Sequence, residues 1–301
     1  MDIIFNMPST LNNNTESLEK LIDLNYNIKE LKDDEIIIDF RNTKWIDSNI
    51  FAILGLIFNY SIQKNNKIKF RFTMNNNLFK MFDNIGFIKN KNYNENYYLG
   101  FREFTIEDTT EFEEYLDKSA KNMFVKNIEE IYTRNFKKVL VECFSNIKHT
   151  TSKTVIISGG VSKKYKKVSV SICNLGRTIL ENYNCRYFQD KFDDDIKAIK
   201  WAIQARNTTK LDSVGGLGLY ILYNFVKNSK GELWIISGRG YYYIDFRKYA
   251  KIETYITNKK FDGTIITLKI PNYLKNINFS MEIDEMPELN IDNLKQYVDI
   301  I

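Results

Sequence analysis

Cysteine is scarce in this sequence. Cys143, Cys173 and Cys185 form neither an even set nor a CxxC pair, which argues against a disulfide framework or a zinc site and for three reduced, mostly buried thiols. No run approaches the roughly 18 consecutive apolar residues of a membrane span, and the N-terminus lacks a basic segment followed by an apolar one. A soluble, cytoplasmic chain is the expectation. Arginine-rich, aromatic-laced patches are missing too: the net charge is +5 and lysine is spread along the chain, which speaks against nucleic acid as a partner. The one basic cluster, SKKYKK at 162–167, lies between the alternating runs TVIIS and VSVSI and reads most simply as a solvated hairpin turn. Histidine occurs once, as His149, three residues after Asn146 and seven after Glu142.

What is present is the composition of a globular protein, 44% hydrophobic over 301 residues, long enough for two domains of about 100 to 200 residues each. The first hundred residues alternate strand and helix signals. DEIIIDF (34–40) is a short β-branched run, NIFAILGLIFNYSIQ (49–63) a mostly apolar helix candidate, KIKFRFT (67–73) an alternating strand, and NNLFKMFDNIG (76–86) a short helix ending at a glycine. This pattern predicts a small α/β layer domain, residues 1–105 with its linker, left through the polar stretch KNKNYNENYY (89–98). A second unit follows at 106–275, and residues 276–301 read as an acidic tail. Its last 21 residues hold six acids against Lys295 alone. Apolar Met286, Leu289, Ile291, Leu294, Val298 and Ile301 fit either a tail that docks on its own chain or a neighbour, or an ordinary free end.

The segment EIIIDFRNTKWIDSNIFAILGLIF (35–58) resembles the STAS family of anti-anti-sigma factors. There a buried strand leads into Asp-Ser-Ser-Gly at a helix start, and the second serine is phosphorylated by a partner kinase. Asp47 and Ser48 match the first two positions, but Asn49 stands at the acceptor position. The resemblance therefore implies a docking or dimerising module without the serine switch. Read from the residues alone, Asp47 and Ser48 form a helix N-cap.

Beyond residue 130, Phe136, Leu140, Phe144 and Ile147 recur at helical spacing as a core stripe, and Glu142, Asn146 and His149 share another face. Then come NLGRTI (174–179), the amphipathic DDIKAIKWAIQARN, a glycine-rich SVGGLGLYILYNFV and DGTIITLKIP (262–271). These boxes, in this order, resemble the GHKL ATPase superfamily of anti-sigma serine kinases, histidine kinase catalytic domains, gyrase B, Hsp90 and MutL. The resemblance covers about residues 130–271 and implies a two-layer α/β sandwich of the Bergerat type that binds ATP and Mg²⁺. It implies Glu142 as general base and Asn146 as the oxygen ligand of Mg²⁺. Gly215, Gly216, Leu217 and Gly218 would open a helix whose free N–H groups meet the triphosphate. Thr264 would reach the adenine edge through water.

The second box departs from the family's Asp-x-Gly-x-Gly: Asn174 replaces the aspartate that accepts the adenine amino group, Gly176 is kept, and Thr178 replaces the second glycine. An amide can donate as well as accept, so discrimination of adenine from guanine is looser, or the pocket is degenerate. His149 reads either as an auxiliary phosphate contact or as a helix-end histidine favoured by the dipole. No histidine precedes it in this chain, so autophosphorylation on a separate histidine is not expected. Residues 180–214 correspond to the segment that closes over ATP, and Arg206, Thr208, Thr209 and Lys210 offer polar groups there. About 30 residues follow Pro271, so the second transducer domain of topology and repair ATPases is not expected. The combined resemblance implies an ATP-dependent regulator, an ATPase or serine/threonine-type protein kinase, acting on a protein partner such as a transcription regulator and allowing a homodimer. The competing reading is a non-catalytic nucleotide-binding adaptor.

Overall fold

A computed structural model describes residues 3–73, 77–88, 97–120, 122–125, 130–187, 189–207, 209 and 218–273. The acidic tail lies outside them. In chain order the first half runs β1 (Ile3–Asn6), β2 (Thr10–Leu11), α1 (Thr15–Ile28), β3 (Glu35–Asp39), β4 (Trp45–Ile46), α2 (Ile50–Gln63), β5 (Lys67–Arg71) and α3 (Asn77–Asn84). The β-branched runs pair in parallel in the order β1-β3-β5, and α1 and α2 make the crossovers that parallel pairing requires. Asn14 starts α1 by accepting the Ser17 N–H at 2.8 Å.

The second half runs β6 (Tyr98–Thr105), α4 (Thr109–Ala120), α5 (Glu130–Ile147), β7 (Thr154–Ser162), β8 (Lys167–Leu175), α6 (Ile179–Arg186), α7 (Asp195–Ala202), α8 (Gly218–Asn228), β9 (Glu232–Asp245) and β10 (Lys251–Pro271). Its strands form one antiparallel sheet in the order β6-β7-β8-β10-β9. The fold is thus α/β. SKKYKK is the β7–β8 hairpin turn. β6 lies within residues 1–105 yet pairs with β7, so that sequence segment contributes a strand to the second sheet.

Alternation along these strands sends side chains to two cores. Val155, Ile157, Val170, Ile235 and Leu268 pack with α4, α5 and α8. Ile156, Cys173, Trp234, Ile236 and Ile265 face the other way and share a core with Leu21, Phe51, Leu54 and Ile57 of α1 and α2. The sandwich therefore has a further layer on its back. This explains why α2 is apolar almost all round: a helix held between two sheets has no solvated face.

A polar seam runs through that interface. Asn49, fully buried, exchanges amide hydrogen bonds with Asn13 (2.7 and 2.9 Å) and donates to Ser171 Oγ at 2.8 Å. Ser171 Oγ in turn meets Thr267 Oγ1 at 2.6 Å. The expected cap by Asp47 and Ser48 does not form. Asp47 is turned to the Trp45 indole N–H and to Asn13, and the Ala52 N–H of α2's first turn is accepted by Ser158 Oγ of β7 at 2.7 Å. The helix start is buried against the sheet, so a strand serine caps it from across the interface. Asn49→Ala should cost about 1–3 kcal/mol by removing the paired amide contacts of Asn13 and one of the two partners of Ser171, read as a lower urea midpoint. An unchanged midpoint would mean the seam contributes nothing. Among the described residues no helix is long and apolar enough to cross a membrane.

Candidate functional site

α5 is positioned by its buried stripe, Tyr132, Phe136, Val139, Leu140, Cys143 and Phe144, which leaves Asn146 facing a cleft of about 120 Å³. The helix ends at Ile147, so His149 lies in the following turn rather than on the helix face shared by Glu142 and Asn146. Its backbone N–H donates to Asn146 O at 3.2 Å, and its exposed ring lines the cleft at the negative end of α5. α8 begins at Gly218 against Asn146: a Cβ on Gly218 would lie 2.4 Å from Asn146 Nδ2. Cys143 lies on the cleft wall, where burial, with a contribution from the Glu142 charge, pushes its thiol up to about 12 and so disfavours the thiolate.

Asn174 of β8 and Thr264 of β10 are register partners, and Ile172 and Ile266 two residues along line the same cleft. The orientation of the Asn174 amide follows from its neighbours. Thr150 Oγ1 donates its proton to Ile147 O at 2.8 Å, so it can only accept from Asn174, whose Nδ2 lies 3.4 Å away and also donates to Leu175 O at 3.1 Å. Oδ1 is left as the acceptor that Asn174 offers a ligand, as a carboxylate would. Thr264 Oγ1 is held by Ser237 Oγ of β9 at 2.9 Å, which also accepts the Ile179 N–H at the start of α6.

Thr178 has a structural use. It is buried and forms a capping box with Glu181 at the N-terminus of α6. Burial pushes the Glu181 carboxyl up, but the Lys260 ammonium and the Thr178 N–H outweigh it and hold it below the usual range.

The cleft thus collects Asn146, His149, Asn174, Thr209, Gly218 and Thr264 of the residues singled out in the sequence. Glu142 is half-buried one turn before Asn146 and is not among the lining residues. Gly176 is not in the cleft either: its φ of +129° makes the turn behind it, beside Thr151 and Tyr60. Arg206 does not line the cleft, and Thr208, Lys210, Gly215, Gly216 and Leu217 lie outside the described residues. Sequence reasoning missed Asn182, Trp201, Asn207 and Ser237. Trp201 and Asn207 are tied by an Asn207 Nδ2 to Trp201 O hydrogen bond of 2.7 Å, and lone amides in a polar stretch carry no periodic signal.

Among the described lining residues none is a carboxylate, lysine or arginine; amides, hydroxyls and the His149 imidazole supply the polarity. No group of three or more His, Cys, Asp or Glu able to hold a metal occurs among the described residues. A transition-metal centre is not indicated there, whereas Mg²⁺ carried by phosphates needs few protein ligands and an amide oxygen suits it. The Asn146 amide, pressed to the start of α8, fits that group. No protein-family model matches the chain, and no curated protein matches it.

Proposed function

We propose that the cleft binds ATP with Mg²⁺ and that the protein is a nucleotide-dependent regulator of GHKL type acting on a protein partner. The observation that carries this is the convergence of Asn146, Asn174, Gly218 and Thr264, each from a different element, on one cleft. Asn174 Oδ1 accepts from the adenine amino group, Thr264 serves the same edge, and Asn146 gives an oxygen to the ion. Bound Mg²⁺ would offset phosphate charge. Glu142, on the same face of α5 as Asn146, orients an attacking water or hydroxyl. The first half serves as a docking layer, with no serine at position 49.

Glu142's place outside the lining residues favours a second reading, a site that binds nucleotide without turnover. One titration series decides. ATP should bind more tightly than GTP, and Asn174→Asp should widen that preference, since a carboxylate accepts only and guanine presents an oxygen where adenine has its amino group. Equal affinity for both bases in parent and variant would sink the assignment of Asn174. Turnover abolished in Glu142→Ala with binding retained establishes the enzyme; a parent that binds without turnover establishes the adaptor.

A further inference from the structure

The base end of the cleft is tied to the N-terminal layer through one residue of β10. The β10–β9 register shifts between Phe261 and Thr264, which puts Asp262 and Gly263 in an irregular stretch, the kind of bulge that aims a neighbouring side chain. Asp262 is its hub. Its carbonyl accepts the Gly176 N–H at 3.1 Å, its Oδ2 meets Lys29 Nζ at 3.1 Å, and its Oδ1 meets Lys260 Nζ at 3.4 Å. Lys260 also holds Glu181 Oε1 at 2.7 Å, and Glu181 Oε2 accepts the Thr178 N–H at 2.9 Å. Asp262 thus touches the Gly176 turn beside Asn174 directly and the start of α6 through Lys260. Lys29 is the C-cap residue of α1, which packs on β10 from the sheet face opposite α5 and the cleft.

We propose that Lys29 is a positioning residue for the base end of the nucleotide cleft, so that the seating of α1 regulates affinity for the adenine ring. This rests on the nucleotide reading above. Lys29 acts through Asp262 on the spacing between the Gly176 turn and the Gly263–Thr264 stretch, and hence on where Asn174 and Thr264 meet the base. It does not reach the start of α8 or Asn146, so the phosphate end is independent of it. The side chains of Lys29 and Asp262 are 22% and 45% exposed, so the tie is partly screened and its effect is graded rather than all-or-none.

The test compares the full chain with Lys29→Ala and Lys29→Arg by calorimetric titration of ATP and of inorganic tripolyphosphate. Lys29→Ala should weaken ATP about three- to five-fold, the scale an exposed ion pair allows, leave tripolyphosphate unchanged, and be rescued by arginine. Should Lys29→Ala fail to fold, Asp262→Asn, which keeps the size and the main-chain carbonyl, must give the same split. ATP affinity equal to the parent's, or equal losses for ATP and tripolyphosphate, overturns the proposal and leaves the nucleotide site standing. A parent that binds neither overturns both.

Discussion

Gly218→Ala should leave the protein folded and remove most Mg²⁺-dependent ATP binding. The added Cβ would stand 2.4 Å from Asn146 Nδ2 and 3.2 Å from Oδ1. Those atoms are the tip of a side chain, so the clash is relieved by swinging the amide away, at little cost to the fold and at the full cost of the ligand's pose. Asn146→Ala removes the same oxygen directly. Each change should weaken ATP at least about tenfold, the loss of one well-placed charged-group contact, and the double variant should be no worse than either alone, because both delete one interaction. Titration with Mg²⁺ and with EDTA reads this. Two losses that add, or a Gly218→Ala protein that keeps Mg²⁺-dependent affinity, would detach Asn146 from the ion.

A glycine of the opposite kind stands beside the cleft residue Thr264. At Gly263 a Cβ would lie 2.0 Å from the backbone oxygen of Asn174 and 2.9 Å from Leu175 Cα. Backbone in a paired strand cannot swing aside, so Gly263→Ala must push β8 and β10 apart where Asn174 and Thr264 are partners. We expect a loss of about 2–3 kcal/mol, the upper range for overpacking, seen as a melting temperature lower by roughly 5–10 °C, together with lost ATP binding. The two alanines separate the causes: one obstacle is a side-chain tip, the other the main chain. A Gly263→Ala protein melting with the parent would refute the close approach of these strands.

Much of the architecture was legible because its signals are local. The β-branched run at 34–40 became β3, the apolar stretch at 49–63 became α2, and the alternating runs flanking SKKYKK became β7 and β8. The amides and glycines of the cleft carry a weaker local signal: glycines punctuate turns everywhere and an amide on a helix face is ordinarily solvated, so only their order along the chain singles them out. What sequence could not give is what depends on pairing at a distance. The cap of α2 comes from Ser158, 106 residues away, so reading Asp47 and Ser48 as the cap was the local answer to a non-local question. His149 was placed on a helix face because periodicity does not mark where α5 stops. Thr178 looked like a defect in a glycine pattern, and its capping box with Glu181 shows the position answering to a helix start instead. Ser237 and Trp201 gave no signal at all, since one sits in an apolar strand and the other in an ordinary amphipathic helix.

The layer on the back of the five-stranded sheet changes what the halves of the chain are to each other. Trp234, Ile236, Cys173 and Ile265 belong to the same core as α1 and α2, so neither half owns all of the apolar surface needed to keep its own sheet dry. One parallel and one antiparallel sheet invite thinking of two parts joined by a linker, as in a pair of coupled tools. Energetically the arrangement is closer to a single hull with two decks: cutting it between β5 and β6 strips the floor from one and the ceiling from the other.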